Sequence, residues 1–281
     1  VNLNGGVLAS NNSNPRAISN NLAVGSNLTL GQATGGTGNL TLSGTMNLGA
    51  ATRTITVDNA ATFLTGAISN GGITKAGSGA LTLSGVNTYT GATTISSGNL
   101  VVNGSISTSI LTTVSSAATI GGSGTVGALT VLSGGFVTPG NSPGILTVNG
   151  NYTQAGTYTA EITATTPGVS GYDQIDVTGA VNITGGSLIA QFNTFTPVNG
   201  NLLFILLNDG SDSITGTFSG YAQGDIISNY GGIDWKISYT ADSTSNTFTG
   251  GNDIAIMAVP EPNIAVLLGG LGAFLLCRRR A

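Results

Sequence analysis

Gly71-Gly72-Ile73-Thr74-Lys75-Ala76-Gly77-Ser78-Gly79-Ala80-Leu81-Thr82-Leu83-Ser84-Gly85-Val86-Asn87-Thr88-Tyr89-Thr90-Gly91-Ala92-Thr93-Thr94-Ile95 decides the fold of this chain. Leu81-Thr82-Leu83 alternates a large aliphatic residue with Thr, and Thr93-Thr94-Ile95 is a variant of it. Alternation with period two marks a strand with one face buried. Glycine, Ser or Asn interrupts each run within a few residues, which is turn chemistry. Leu28-Thr29-Leu30 and Leu40-Thr41-Leu42 repeat the triplet upstream. Downstream, Leu100-Val101-Val102, Leu129-Thr130-Val131 and Leu146-Thr147-Val148 vary it, as does Arg53-Thr54-Ile55-Thr56-Val57. No segment before residue 263 shows helical periodicity over two turns.

Strands this short cannot build a stable sandwich, although an antiparallel sandwich or barrel is the competing architecture. They suit a solenoid, in which each coil turns a corner every few residues and strands stack rung on rung. Self-similarity at about 20–25 residues supports stacking. Gly79-Ala80-Leu81-Thr82-Leu83-Ser84-Gly85 returns as Ser97-Gly98-Asn99-Leu100-Val101-Val102-Asn103-Gly104. Aliphatic residues then align inside the coil, with Thr and Asn ladders outside. The expected fold is all-β, a parallel β-helix over residues 1–149. Residues 150–258 supply its last coils and a C-terminal β cap. Aromatic residues gather there, from Tyr152 to Phe248, and suit a cap core. Longer strands are expected at Ser187–Phe192, Asn201–Leu207, Asp234–Tyr239 and Asp253–Ala258.

The stretch from Gly71 to Ile95, continued by Gly98-Asn99-Leu100, resembles the autotransporter-associated β-strand repeat. Pro139-Gly140-Asn141-Ser142-Pro143-Gly144, Leu146 to Tyr152 and Asp173-Gln174-Ile175-Asp176-Val177 are also typical of that family's passenger domains. The resemblance implies a right-handed parallel β-helix. Such passengers end in an outer-membrane β-barrel, and this sequence ends differently.

Its last residues run in three parts. Val259-Pro260-Glu261-Pro262 comes first. The two prolines allow a helix only after Pro262, with Asn263 as N-cap. Ile264-Ala265-Val266-Leu267-Leu268-Gly269-Gly270-Leu271-Gly272-Ala273-Phe274-Leu275-Leu276 follows without a charged side chain. Cys277 extends the run, and Arg278-Arg279-Arg280 closes it. The apolar run is short, on the order of 20 Å of helix, against the roughly 20 residues a span usually needs. Arginine side chains can snorkel to the headgroups and shorten the demand. Ala265, Gly269 and Ala273 give one small-residue face, suited to close helix packing. A single short transmembrane helix is expected over residues 263–277, with the Arg cluster on the cytoplasmic side and the body outside. In this order the three parts resemble the PEP-CTERM sorting signal of Gram-negative bacteria. That resemblance implies recognition by an exosortase, a membrane cysteine protease, and removal of the helix near Pro260-Glu261-Pro262. It makes residues 259–281 a sorting segment. Localisation follows: inner-membrane anchoring first, then the cell surface or matrix. An exported protein needs a signal peptide, and the residues after Val1 show none. The sequence therefore reads as a fragment or processed form.

Composition narrows function by exclusion. Charged residues are 6% of the chain, against a usual quarter, and His is absent. The single Cys, Cys277, lies in the tail, so no intrachain disulfide forms. Outside the tail, Arg16, Arg53, Lys75 and Lys236 face ten acids. That balance argues against nucleic acid or an anionic membrane as partner. Asn-x-Ser/Thr sequons at Asn11, Asn27, Asn39, Asn151 and Asn182 are expected by chance in so Asn- and Thr-rich a chain.

Catalysis on a β-helix needs paired carboxylates or a metal cluster. Asp173 and Asp176 are close in sequence, but residues three apart on a strand point to opposite faces. Without His the acid–base vocabulary is thin. No catalytic residue and no cofactor is expected. Asp173, Asp209 and Asp212 read first as turn residues. Asp209-Gly210-Ser211-Asp212 is the best place for a Ca²⁺ loop, though it lacks the strict alternation of one. The expectation is an exported, non-enzymatic surface or matrix protein serving adhesion, envelope structure or exopolysaccharide association. A polysaccharide lyase or glycosidase, or a carbohydrate-binding module, is the alternative.

Overall fold

The computed structural model describes residues 1–260. All of their regular structure is β: 31 strands, most of them two to five residues long. Three walls rise in parallel. The second wall is an unbroken ten-stranded sheet from Val7–Leu8 to Thr215–Thr217, and the third a nine-stranded sheet from Arg16–Ile18 to Ser187–Phe192. The first wall is divided into a four-stranded lower sheet and an eight-stranded upper one. Successive strands on a wall come from successive coils, and every pair up to Thr215–Thr217 is parallel.

The alternating triplets stack into columns that are mostly aliphatic on the inward side. On the second wall Leu28, Ile55, Lys75, Ile95, Val114, Val131, Gln154 and Ile183 lie in register, pointing inward. On the third wall Leu40, Thr62, Leu81, Leu100, Ile120, Val137, Tyr158 and Leu188 do the same. Ile106, Val126, Val148 and Val177 form the matching column of the upper first wall, with Asn208 at its top. These columns merge into one continuous core. Each fully buried aliphatic side chain contributes about 1.5–3 kcal/mol relative to exposure, so the stack needs no disulfide.

Corners are tight because coils lie directly on one another. Gly98 adopts φ +69°, and a Cβ there would press on the carbonyl of Gly77 one coil below. Both demands select glycine. The Gly-rich punctuation of the sequence is the record of such corners.

The lower and upper sheets of the first wall are separated by residues 86–89, where the coil carries no strand of its own. Asn87 fills the gap. Its Oδ1 accepts from Ile68 N–H at 2.8 Å, and its Nδ2 donates to Ser105 O at 2.9 Å. One buried amide thus takes the place of a rung.

Beyond Leu202–Asn208 the topology changes. Asp253–Val259 pairs antiparallel with that strand and with Ile233–Ala241, which pairs antiparallel with Ile226–Tyr230. Alternation alone gave strand positions here but not their direction. Phe192 ends the third wall and meets Tyr230 at 4.7 Å and Trp235 at 4.8 Å between ring centroids. Trp235 is fully buried. This aromatic plug closes the open end of the core. The antiparallel strands also cover the edge of Leu202–Asn208, which would otherwise offer unpaired backbone groups.

No helix of the described residues is long and apolar enough to cross a membrane. The expected transmembrane helix, Ile264 to Leu276, lies outside the described residues, as do Glu261, Pro262 and Arg278–Arg280.

Candidate functional site

Residues 71–102 hold the polar groups that give this coil its character. Lys75 stands in the inward column between Ile55 and Ile95 and is fully buried. Its Nζ donates to Ala76 O at 2.8 Å, Gly77 O at 2.9 Å and Ser97 O at 3.1 Å. An ammonium has three donors, and all three are used. Burial lowers the Lys75 pKa to about 8, while the Asp58 carboxylate pulls the other way. Lys75 therefore ties two stacked corners together and is not offered to a ligand. Tyr89 is buried, and its hydroxyl lies 2.8 Å from Thr93 Oγ1, itself 3.0 Å from Ser109 Oγ. Ser109 passes the chain on to Gly91 O. The polar residues of the motif are thus an internal hydrogen-bond network spanning neighbouring coils.

The outward side of the second wall is different. Thr54, Thr74, Thr94, Thr113, Thr130 and Thr153 occupy one column, followed by Asn182 and Thr215. With strands ~4.8 Å apart, this is a straight, uncharged file of hydroxyl groups. The alternation that fixed the inward aliphatics fixes it too, since every second residue must face out.

The acids are scattered by the fold into separate roles. Asp173 is almost fully buried and accepts from Gly144 N–H at 2.8 Å and Glu161 N–H at 3.0 Å. Both donors belong to other segments, so Asp173 is a clamp between coils. The expectation of local turn chemistry for it is corrected. Burial raises its pKa to about 7, against the two backbone N–H groups, with the Glu161 charge adding to the rise. Glu161 accepts from Asn193 Nδ2 at 2.7 Å and from the Ser142 hydroxyl. Asp173 and Glu161 make a carboxylate pair that sequence spacing did not signal, because the chain folds back between them, with an antiparallel bridge at Ile162 and Tyr172 and Asp173 N–H donating to Glu161 O.

Asp176 is separate from that pair and lies in the outward column above Thr125 and Thr147. It lines a cleft of about 770 Å³ with Asn208, Asp209, Asp242 and Asp253. Asp212 contributes its backbone carbonyl to this region, accepting from Asn208 Nδ2 at 2.8 Å and Asn252 Nδ2 at 2.9 Å. Among the described residues, no three His, Cys, Asp or Glu side chains form a group that could hold a metal on their own.

Val259-Pro260-Glu261-Pro262 begins where the cap ends. Val259 is the last residue of the strand Asp253–Val259 and pairs with Asp234. Pro260 follows, exposed and outside any strand.

The passenger-associated-transport-repeat family model matches residues 73–102. These residues include Lys75, Asn87, Tyr89, and Thr74 and Thr94 of the Thr column. No curated protein matches the chain. The chain therefore carries an autotransporter-associated repeat within a stack of parallel coils, and the match covers the repeat alone.

Proposed function

We propose that this protein is an exported, non-enzymatic β-helix of the cell surface or extracellular matrix. It presents its second wall to extended polymers, with exopolysaccharide the preferred class. The outward Thr column carries this reading: a long, regular array of hydroxyls suits a repeating, hydroxyl-rich partner better than a compact ligand. The passenger-type repeat supports export, because such repeats belong to domains displayed outside the cell. The tail supports the route. Val259-Pro260-Glu261-Pro262, the apolar run and Arg278–Arg280 resemble a signal for exosortase-type processing, which would hold the chain at the inner membrane and then release it.

The test is to incubate the chain with neutral and acidic polysaccharides and to score both binding and chain length. Retention without shortening supports a binding surface, and replacing Thr94, Thr113 and Thr130 together by Glu should abolish it. Retention unaffected by that replacement contradicts the Thr column as the contact.

One observation favours the enzymatic alternative, the neighbouring carboxylates Asp173 and Glu161. Shortening of a polysaccharide that Glu161→Gln abolishes would establish it. Against it stands the use already made of both groups, which hold the segment 142–144 to its neighbours.

A further inference from the structure

Arg53 stands at an inward position of the second wall, in register with Ile73 and two residues before the buried Ile55. Its guanidinium does not stay in that aliphatic column and leaves it at the corner with the lower first wall. Nε donates to Leu48 O at 2.9 Å, and a Cβ on Gly49 would lie 3.4 Å from Nη2. Arg53 is half-buried, with its stem covered and its fork at the surface of the wall. Among the described residues, no hydrogen bond or ion pair occupies either Nη. Asparagines meet the fork there. Asn47 Oδ1 accepts from Gly49 N–H at 2.9 Å and from Asn70 Nδ2 at 3.0 Å, which leaves Asn47 Nδ2 as a free donor. Asn47 shares a column with Ala23 and Asn2. Continued by two residues, that register sets Gly25 beside Gly49. The Asn4 amide lies over Gly25, where a Cβ would collide with Asn4 Oδ1. Arg53, Asn47, Asn2 and Asn4 thus line one cavity of about 220 Å³, and no Asp or Glu lines it with them. In a chain of net charge −4, free N–H donors gathered without an acid favour an anion.

We propose that this cavity binds a uronate residue of an acidic polysaccharide, with Arg53 on the carboxylate and the asparagine amides on the hydroxyls. A guanidinium fork presents two parallel N–H donors, which match a carboxylate in bidentate geometry. An amide carries both donors and an acceptor, and so suits sugar hydroxyls, which do both. The volume is below the ~300–1,000 Å³ of pockets for drug-sized ligands, and it suits one sugar ring. The cavity lies on the outer face of the wall, so the rest of the polymer stays in solvent. One charged contact at a half-exposed position gives a weak affinity that salt screens. This site rests on the polysaccharide reading for its class of partner, and it lies on the first wall, apart from the Thr column.

Calorimetric titration of the full chain with a galacturonate tetramer tests this, beside the same tetramer methyl-esterified at every carboxyl. The acid should bind, and less tightly as salt rises. Esterification should weaken binding by about tenfold or more, the scale of a lost charge-assisted hydrogen bond. Arg53→Gln should weaken the acid to the same extent. Arg53→Lys should recover only part of that loss, because a point charge replaces the fork. Asn4→Ala changes a side chain with no hydrogen-bond partner among the described residues. It should weaken the acid several-fold without lowering the melting temperature. The comparison of acid with ester uses the parent alone and holds whether or not a variant folds. No binding of the acid, equal binding of acid and ester, an unchanged affinity in Arg53→Gln, or full recovery in Arg53→Lys would each overturn the proposal. Neutral polysaccharide retained through the Thr column while the acid fails to bind overturns this site and leaves the polysaccharide reading standing. Acid that binds when neutral polymers are not retained supports the site and contradicts the Thr column.

Discussion

Lys75 shows how one residue can be read correctly as part of a motif and still mislead about purpose. In a chain with so few cations a lysine invites a surface role. The fold instead buries it in an aliphatic column and gives its three protons to three carbonyls. Lys75→Met should destabilise by about 2 kcal/mol, since it takes the Lys75 donor from three part-buried carbonyls, of which only Gly77 O keeps another in the Ser97 hydroxyl. Urea unfolding measures this. The pH dependence has a definite sign. The folded pKa, about 8, lies below the ordinary 10.5, so between these values the unfolded chain binds more protons and stability rises with pH. The gap between parent and Lys75→Met should widen from pH 7.5 to pH 9. Asp173 works the other way. Its folded pKa, about 7, lies above 3.8. Its contribution is therefore fully present below pH 3.8 and is lost as pH rises through 7. In Asp173→Asn that decline should be absent, as seen by unfolding midpoints at pH 4, 5.5 and 7.

At the scale of the element, the triplets were legible because a solenoid strand is read by one rule, alternation. Leu81-Thr82-Leu83 and Leu129-Thr130-Val131 occupy strands, with their aliphatics inward and Thr130 outward. The rule does not say which strands are neighbours. Thr94 and Thr113 share a column because the coil between them is short, and that length is set by corners at glycines. Nor does alternation distinguish parallel from antiparallel pairing, so the turn-back of Ile226–Tyr230, Ile233–Ala241 and Asp253–Val259 was not visible. Asp173 beside Glu161 was hidden because the segment between them folds back on itself through an antiparallel bridge at Ile162 and Tyr172, which alternation does not signal. The substitution Gly98→Ala probes a corner directly. It should cost more than 1 kcal/mol, because φ is positive and the space is filled by the coil below. Ile95→Ala, in the middle of the inward column, should cost about 2–5 kcal/mol. In the plug, Trp235→Ala should cost about 3–5 kcal/mol and expose the end of the core, read as dye binding by exposed apolar surface.

The molecule as a whole combines a long side and two different ends. Its side is regular, apolar within and hydroxyl-bearing without. The described C-terminal end is a cap whose central strand, Asp253–Val259, is held on both edges. That placement bears on processing. A cut beyond Val259 leaves every rung and the aromatic plug in place, so the released body should unfold at the same urea concentration as the unprocessed chain. A cut inside Asp253–Val259 would remove the strand that joins Leu202–Asn208 to Ile233–Ala241, and with it the cap. Val259-Pro260-Glu261-Pro262 thus begins at the last residue of the cap's central strand. The most direct test is mass spectrometry of the mature C-terminus in the native host. A chain ending near Pro262 is the result this account predicts, and a surface-located chain that retains Arg280 would contradict it.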